Sequence, residues 1–415
     1  MGIFLMENFD VSDLSTLAAD RALDAVPSGS IGATGFLFGS ATLPTEFGLR
    51  TFMEKGIRRT SVGMMGKFEG ANGSYGGYLR IPIPSMVNGQ ANANLNRSFY
   101  LSMRMRFLVG TNATTTNVAL ATPIPYLPRK DIVFGMTAYP SMSFGSAYQV
   151  FAMTNSTYDA SGKADKMRIF FGPWSATTST QTEFSCDADG WFHVELFKPA
   201  GSTTFTFWVN DFMYTAGQSS SIPEQFNANT MFMNLYIARL STLNSPIYYG
   251  IEATDVIVID PNTSGQKYRF GSSGRVLSMD YTSDFTADWA ADPSATLTHH
   301  EMMMIDQSTP AATNILTGTT IGQREQYAMK PIPTEFGPYV PAVLVRPRVM
   351  NGGAAAHSLA MEMDWGTGIA EVSERMVLAG GAYDATPLIM TTKPNGDPWT
   401  AADFASAKAG FSVKS

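Results

Sequence analysis

The side chains able to do acid–base, nucleophilic or metal chemistry are few and scattered along the 415 residues. Two carboxylates alternate at Glu362-Met363-Asp364. In a strand this spacing puts both on one face, where retaining glycoside hydrolysis needs an acid and a nucleophile about 5 Å apart. There are four histidines: His193, His299, His300 and His357. His357 begins an apolar strand face, which predicts a buried, hydrogen-bonded imidazole. His299 and His300 are adjacent, and adjacent side chains of a strand point to opposite faces. With no acid or thiolate at ligand spacing, they are not expected to hold zinc. The one cysteine, Cys186, stands between Ser185 and Asp187. It has no basic neighbour to lower its pKa and no partner for an intrachain disulfide. No nucleophile elbow is present, since Gly271-Ser272-Ser273-Gly274 lacks the spacing, and no phosphate-binding loop occurs. No catalytic set is therefore expected.

Binding chemistry is equally spare. Trp174, Trp191 and Trp208, with Tyr139 and Tyr158, could form a sugar-stacking platform, although core and hairpin positions are the commoner use of such residues. Charged residues are only 15% of the chain, against roughly 25% in ordinary soluble domains, and the net charge is −7. Arg58-Arg59 and Arg346-Pro347-Arg348 are the nearest approach to a basic patch. They read as solvated faces, so no nucleic-acid partner is expected. Glu7, Asp10 and Asp13 interrupt the apolar start, and no run of about 18 apolar residues occurs. Neither a signal peptide nor membrane insertion is predicted, and the Asn-x-Ser/Thr triplets such as Asn155-Ser156-Thr157 read as chance matches.

The elements that must position these residues are mostly strands. Tyr100–Phe107 alternates, with Leu101, Met103, Met105 and Phe107 on one face and Ser102, Arg104 and Arg106 on the other. Residues 166–171, 191–196 and 204–209 repeat the scheme, and 255–260 is apolar on both faces, as a central strand would be. Residues 342–349 and 357–363 continue it beyond a Pro-Asn-Thr-Ser-Gly break at 261–265. Short helices are predicted at both ends. One spans 11–26, capped by Ser12, with Leu14, Leu17, Ala18, Ala22 and Ala25 on one face; it either anchors a neighbouring subunit or folds back on its own domain. The other starts at Thr400, with Asp403 three residues on, a stripe of Phe404, Ala407 and Phe411, and Gly410 to end it. Pro44–Gly48 recurs as Pro333–Gly337, too short an echo to make a repeat architecture.

Three segments carry a resemblance: Gly77-Tyr78-Leu79-Arg80-Ile81-Pro82, Gly190-Trp191-Phe192-His193-Val194-Glu195, and Phe207-Trp208-Val209-Asn210-Asp211. In this order they resemble the strands of the laminin-G/concanavalin-A-like sandwich family, over residues 31–260. Phe212 departs from the pattern, standing where a glycine is usual. Ile251–Asp260, the glycine loop Phe270–Val276 and the ending Asp397-Pro398-Trp399-Thr400-Ala401-Ala402-Asp403 are similar to segments of phage particle proteins.

The resemblance implies an all-β fold: a concanavalin-A-like (jelly-roll) sandwich at 31–260, a second β-rich module at 261–415, and an N-terminal helical arm at 1–30. It implies a non-enzymatic structural protein of a bacteriophage virion, in the tail or adsorption apparatus and assembled in the host cytoplasm. Its partners would be itself and other virion proteins. A carbohydrate-binding, host-recognition module that takes a host surface glycan is the alternative on the same fold. His193 would serve packing, as in the family. Glycosidases of this fold carry a third alternating acid, but positions 366 and 367 are Gly366 and Thr367. No cofactor is expected; calcium, which relatives hold at one rim, would fall to Asp187, Asp189, Asn210 and Asp211.

Overall fold

The computed structural model describes residues 2–7, 37–39, 45–70, 75–82, 99–110, 118–127, 132–138, 149–155, 167–171, 181–199, 206–214, 232–239, 243–260, 269–292, 294–304, 315–345, 349–353, 355–377, 383–384 and 388–415. They fall into two compact units, one reaching Val276 and one running from Leu277 to Ser415. The chain is all-β, and its first unit is a two-sheet antiparallel sandwich.

The strands of the first unit are β1 (Gly2–Glu7), β2 (Leu37–Gly39), β3 (Thr45–Glu54), β4 (Ile57–Gly70), β5 (Tyr75–Pro82), β6 (Phe99–Val109), β7 (Thr122–Ile124) and β8 (Ile132–Ala138). They continue as β9 (Gln149–Asn155), β10 (Met167–Phe171), β11 (Gln181–Phe184), β12 (Trp191–Lys198), β13 (Thr206–Val209), β14 (Phe212–Tyr214), β15 (Phe232–Arg239) and β16 (Leu243–Asp260). One sheet runs β14-β13-β12-β6-β16-β4-β3, with β1 added on β16 and β7 on β6; the other runs β11-β10-β9-β8-β15-β5-β2.

Period-two patterning explains the packing. Leu101, Met103 and Met105 of β6 pair with Leu196, Val194 and Phe192 of β12, Phe107 pairs with Ile251 of β16, and all point to the interior. Opposite them lie Phe134 and Met136 of β8, Phe151 and Met153 of β9, and Leu235 of β15. Aromatic contacts cross the layer, with ring centroids 5.3 Å apart for Phe107–Phe134 and 5.2 Å for Phe184–Phe192. A core in which strands supply alternate apolar residues from both sheets is what holds an aligned sandwich together.

The expected 1–30 helical arm is corrected at its start. Gly2–Glu7 is a strand laid antiparallel on Val256–Asp260. The central strand β16 needs a hydrogen-bonding partner there, because β4 pairs only as far as Ala253. The predicted helix at 11–26 lies outside the described residues. The glycine loop 270–276, expected to open the second module, belongs to the sandwich unit. Carboxylates of the sheet accept its backbone N–H groups.

The second unit holds a five-stranded antiparallel sheet in the order Tyr281–Ala287, Arg324–Met329, Lys408–Val413, His357–Asp364 and Ala370–Val377. Leu359, Met361 and Met363 share its apolar face, as the alternation predicts, with Phe411 and Ala409 beside them. The predicted C-terminal helix is corrected. Only Ala401–Phe404 turns, as a 3-10 helix, and the chain then enters the strand Lys408–Val413. Ala407, Ala409 and Phe411 are buried at period two. Gly410 does not end a helix: it lies in the strand, where a Cβ would overlap the Glu325 carbonyl oxygen.

Candidate functional site

The outer face of the nine-stranded sheet carries the densest ionisable chemistry among the described residues. Each strand contributes its non-core set: Tyr100, Ser102, Arg104 and Arg106 from β6, and Trp191, His193 and Glu195 from β12. Glu252 and Thr254 come from β16, and Arg59 and Ser61 from β4, opposite Phe52 and Arg50 of β3. Alternation dictates this placement, since pairing their apolar neighbours inward forces these side chains outward.

At Asp255 the β16 backbone bulges and enters the left-handed region, with φ of 54°. Aspartate tolerates that conformation better than a branched residue would. The bulge turns the carboxylate into the face, where Oδ1 accepts from the Arg59 guanidinium and from Val276 N–H at 2.7 Å.

Guanidinium groups and carboxylates here neutralise one another. Arg59 Nη1 reaches Glu54 Oε2 at 2.5 Å, Arg104 Nη1 meets both Glu54 oxygens at 3.0 Å, and Arg275 Nε meets Glu54 Oε1 at 2.9 Å. Arg106 Nε donates to Glu252 Oε1 at 2.6 Å, and Ser61 Oγ to Glu252 Oε2 at 2.5 Å. Glu195 accepts from Tyr100 Oη, from Gly271 N at 2.9 Å and from Arg269 Nε at 2.7 Å. The Trp191 ring lies under both Arg104 and Arg106, 4.9 and 4.3 Å from its centroid, and 5.0 Å from the Phe52 ring.

Titration behaviour follows this geometry. Burial alone would raise the Glu54 carboxyl, but Arg104, Arg275 and Arg59 outweigh it and hold it at about 2. Burial pushes the His193 imidazole down to about 4, against the smaller opposing pull of Glu195. Its Nε2 is 2.8 Å from Ser102 Oγ. Burial, then Glu195, raises the Tyr100 phenol far above its usual range. The face thus combines fixed charges already paired with a histidine that stays neutral. It can bind and hold, and it sets the neutral His193 imidazole beside the Ser102 hydroxyl.

The residues singled out from sequence are placed elsewhere or used locally. Glu362 lies in the second unit, accepting from Gln326 Nε2 and Ser412 Oγ at 2.8 Å each. Asp364 instead closes a turn through Gly366 N–H and Gly368 N–H and pairs with Lys408 at 3.1 Å. The two carboxylates therefore have separate structural partners. His299 and His300 begin the helix His299–Met304 rather than a strand, because Thr298 and Glu301 cap it. His299 pairs with Glu325 at 2.8 Å and His300 with Asp284 at 2.9 Å. His357 is exposed, not buried, since it lies at a strand end, and its Nδ1 lies 2.7 Å from the Ser415 carbonyl oxygen. Burial and then Asp187 push the Cys186 thiol up to about 12.

The Asp187, Asn210 and Asp211 oxygens named for calcium have protein partners. Asp187 Oδ1 accepts from Asp189 N and Trp191 N at 3.0 and 2.7 Å, and Asn210 Oδ1 accepts from His193 N at 2.8 Å. Asp211 is bonded by Arg269 and Ser272. Asn210 and Asp211 take φ of 49° and 71°, so the two-residue turn places its left-handed positions there and needs no glycine at Phe212. Trp191 is buried and Trp208 lies under Arg269 at 5.2 Å; Trp174, Tyr139 and Tyr158 lie outside the described residues. Arg58 is exposed and Arg59 buried, while residues 346–348 lie outside the described set. The Arg59–Asp255–Glu54 network escaped the sequence reading. Its signal was Arg104, Arg106, Glu195 and Glu252 at outward positions of strands with few other charges, in a chain with few charges.

No helix among the described residues is long and apolar enough to cross a membrane. No family model matches the chain, and no curated protein matches it. Solved structures similar to it include a family 7 alginate lyase, A1-II′, at 8% identity, covering 50% of this chain and 80% of the lyase with a TM-score of 0.29. The CBM2 module of an evolved Dit from Lactobacillus casei BL23 phage J-1 is 12% identical, covering 57% and 94% with a TM-score of 0.26. Winged bean acidic lectin, complexed with methyl-α-D-galactose, is 10% identical, covering 53% and 98% with a TM-score of 0.26. Likeness of this degree carries no conclusion about activity.

Proposed function

We propose that the chain is a non-enzymatic structural component of a bacteriophage particle, in its tail or adsorption apparatus, acting by assembly with itself and other virion proteins. The observation that carries this reading is the closed ion-pair face. Arg59, Arg104, Arg106, Arg269 and Arg275 are each matched to Glu54, Glu195, Glu252 or Asp255, which commits the charges of the face to holding the fold. The order of phage-like segments along the sequence adds to it. Low charge supports assembly as well, since it weakens the repulsion that keeps soluble proteins apart. Mass spectrometry of purified particles, with the recombinant chain sized by light scattering, tests the reading. A chain absent from particles would overturn it, as would polysaccharide cleavage lost on Glu362→Gln.

The alternative is a glycan-binding host-recognition module. One feature favours it: Tyr339, at 83% exposed, offers a ring to solvent on the strand paired with Trp399-Thr400. Binding on a glycan array that disappears with Tyr339→Ala would select this reading.

A further inference from the structure

Arg269–Val276 lies on the sandwich as a peptide lies on a receptor. It forms no strand ladder; side chains of the sheet hold it. Phe270 N–H donates to Tyr100 Oη at 3.1 Å, Gly271 N–H to Glu195 at 2.9 Å, Ser272 N–H to Asp211 at 3.1 Å and Val276 N–H to Asp255 at 2.7 Å. Its two arginines are read separately. Arg269 meets Glu195 at 2.7 Å and covers the Trp208 ring, and Arg275 meets Glu54 at 2.9 Å. The Phe270 ring lies 6.0 Å from the Tyr100 ring.

The surface beneath also has capacity that the segment leaves unused. His193 Nδ1, in a residue 3% exposed, has no hydrogen-bond partner among the described residues; Asp255 Oδ2 has none either, although it lies 3.6 Å from Arg104 Nη1 and 4.0 Å from Arg275 Nε. His193 Nδ1 is 4.0 Å from Glu195 Oε2, beside the seated segment. Buried polar atoms without partners are uncommon and mark a surface that can satisfy a further donor or acceptor.

We infer that the outer face of the nine-stranded sheet is a binding surface for an extended, arginine-bearing peptide, and that Arg269–Val276 occupies it in cis. The chemistry selects that partner. Carboxylates at Glu195, Asp211 and Asp255 take backbone N–H groups, while Glu195 and Glu54 take guanidinium groups six positions apart. A segment held by side chains of the sheet, including Arg59 Nη2 donating to the Val276 carbonyl oxygen at 3.0 Å, and not by a strand ladder, is able to open locally while the core strands stay closed. The inference stands apart from the role on the particle, since it concerns only this face and its occupant.

The test uses the segment itself. A fluorescein-labelled peptide of sequence RFGSSGRV is titrated by anisotropy against the intact chain and against R269A/R275A, in which the cis segment is weakened. Binding at least roughly tenfold tighter to the variant is expected, because the cis segment competes in the intact chain. Glu195→Gln added to the variant, or alanine at both arginines of the peptide, should abolish it. Hydrogen exchange on the intact chain gives the second readout, whether or not the variant folds. Gly271, Ser272 and Val276 amides should exchange through an opening that leaves Met103 and Val194 protected. Exchange of those amides only together with Met103 and Val194 would overturn the inference, as would a folded variant that does not bind the peptide.

Discussion

Arg59 and Asp255, 196 residues apart in sequence, form an ion pair with side chains only 1% and 2% exposed. A pair so buried contributes less than its Coulomb attraction implies, because both charges lose hydration, yet breaking it strands the survivor. Arg59→Met should therefore cost about 3–5 kcal/mol in urea unfolding followed by tryptophan fluorescence. Asp255→Asn keeps a residue that tolerates the left-handed backbone and removes only the charge. The double variant should lose less than the two single losses combined, by about 1–3 kcal/mol. Strict additivity would show that the two residues act independently.

Acid should weaken the sandwich in two stages. Burial holds folded His193 at about 4, against 6.5 for a free imidazole. Between those values the unfolded chain binds a proton that the folded chain refuses, so stability falls as pH drops from 6.5 to 4, by about 3 kcal/mol. Glu54, held at about 2 against burial by its three arginines, contributes fully above 4.5 and loses that contribution as pH falls toward 2. Melting temperatures from pH 7 to 3 should lose the upper slope in His193→Gln and the lower one in Glu54→Gln. An unchanged upper slope in the histidine variant would reject the first assignment.

Removing residues 1–7 should lower the melting temperature, on the order of 5 °C, without changing the mass in solution. The reason is the ladder from Gly2–Glu7 to Val256–Asp260, whose loss leaves one edge of β16 unpaired at its apolar end. A fall in mass with melting unaltered would instead assign these residues to contacts between copies.

Calcium should have no thermal effect. The oxygens of Asp187, Asn210 and Asp211 already accept backbone or guanidinium donors. Millimolar calcium and chelator should give melting temperatures within about 1 °C of each other, since only a ligand that binds the folded state shifts them. A calcium-dependent rise abolished by Asp187→Asn would reveal a site.

The sandwich was legible because strand alternation is a local signal. Leu101 to Phe107 and Phe192 to Leu196 could be assigned to the interior without knowing their partners, and they lie there. The ion-pair face was not legible, because Arg59 meets Asp255, and Glu195 meets Tyr100, only once the sheet order is known. Ambiguity arises where two periods share residues. Phe404, Ala407 and Phe411 fit a helix, but Ala407, Ala409 and Phe411 fit a strand, and pairing with Glu325–Ala328 and Leu359–Asp364 decides between them. At His299 and His300 the obstacle is the opposite one, since the Thr298–Glu301 cap makes a helix too short for its periodicity to show.

The bulge at Asp255 also sets parity. Before it, the even-numbered Glu252 and Thr254 face outward, opposite Arg106 and Arg104; after it, the odd-numbered Ile257 and Ile259 do, opposite Ser102 and Tyr100. One extra residue thus switches the phase of the strand midway, at the place where β4 stops pairing and β1 begins. Deleting that single residue, with no side chain altered elsewhere, would exchange inside for outside along whichever half gave way, sending Val258 toward the arginines or Glu252 into the apolar layer.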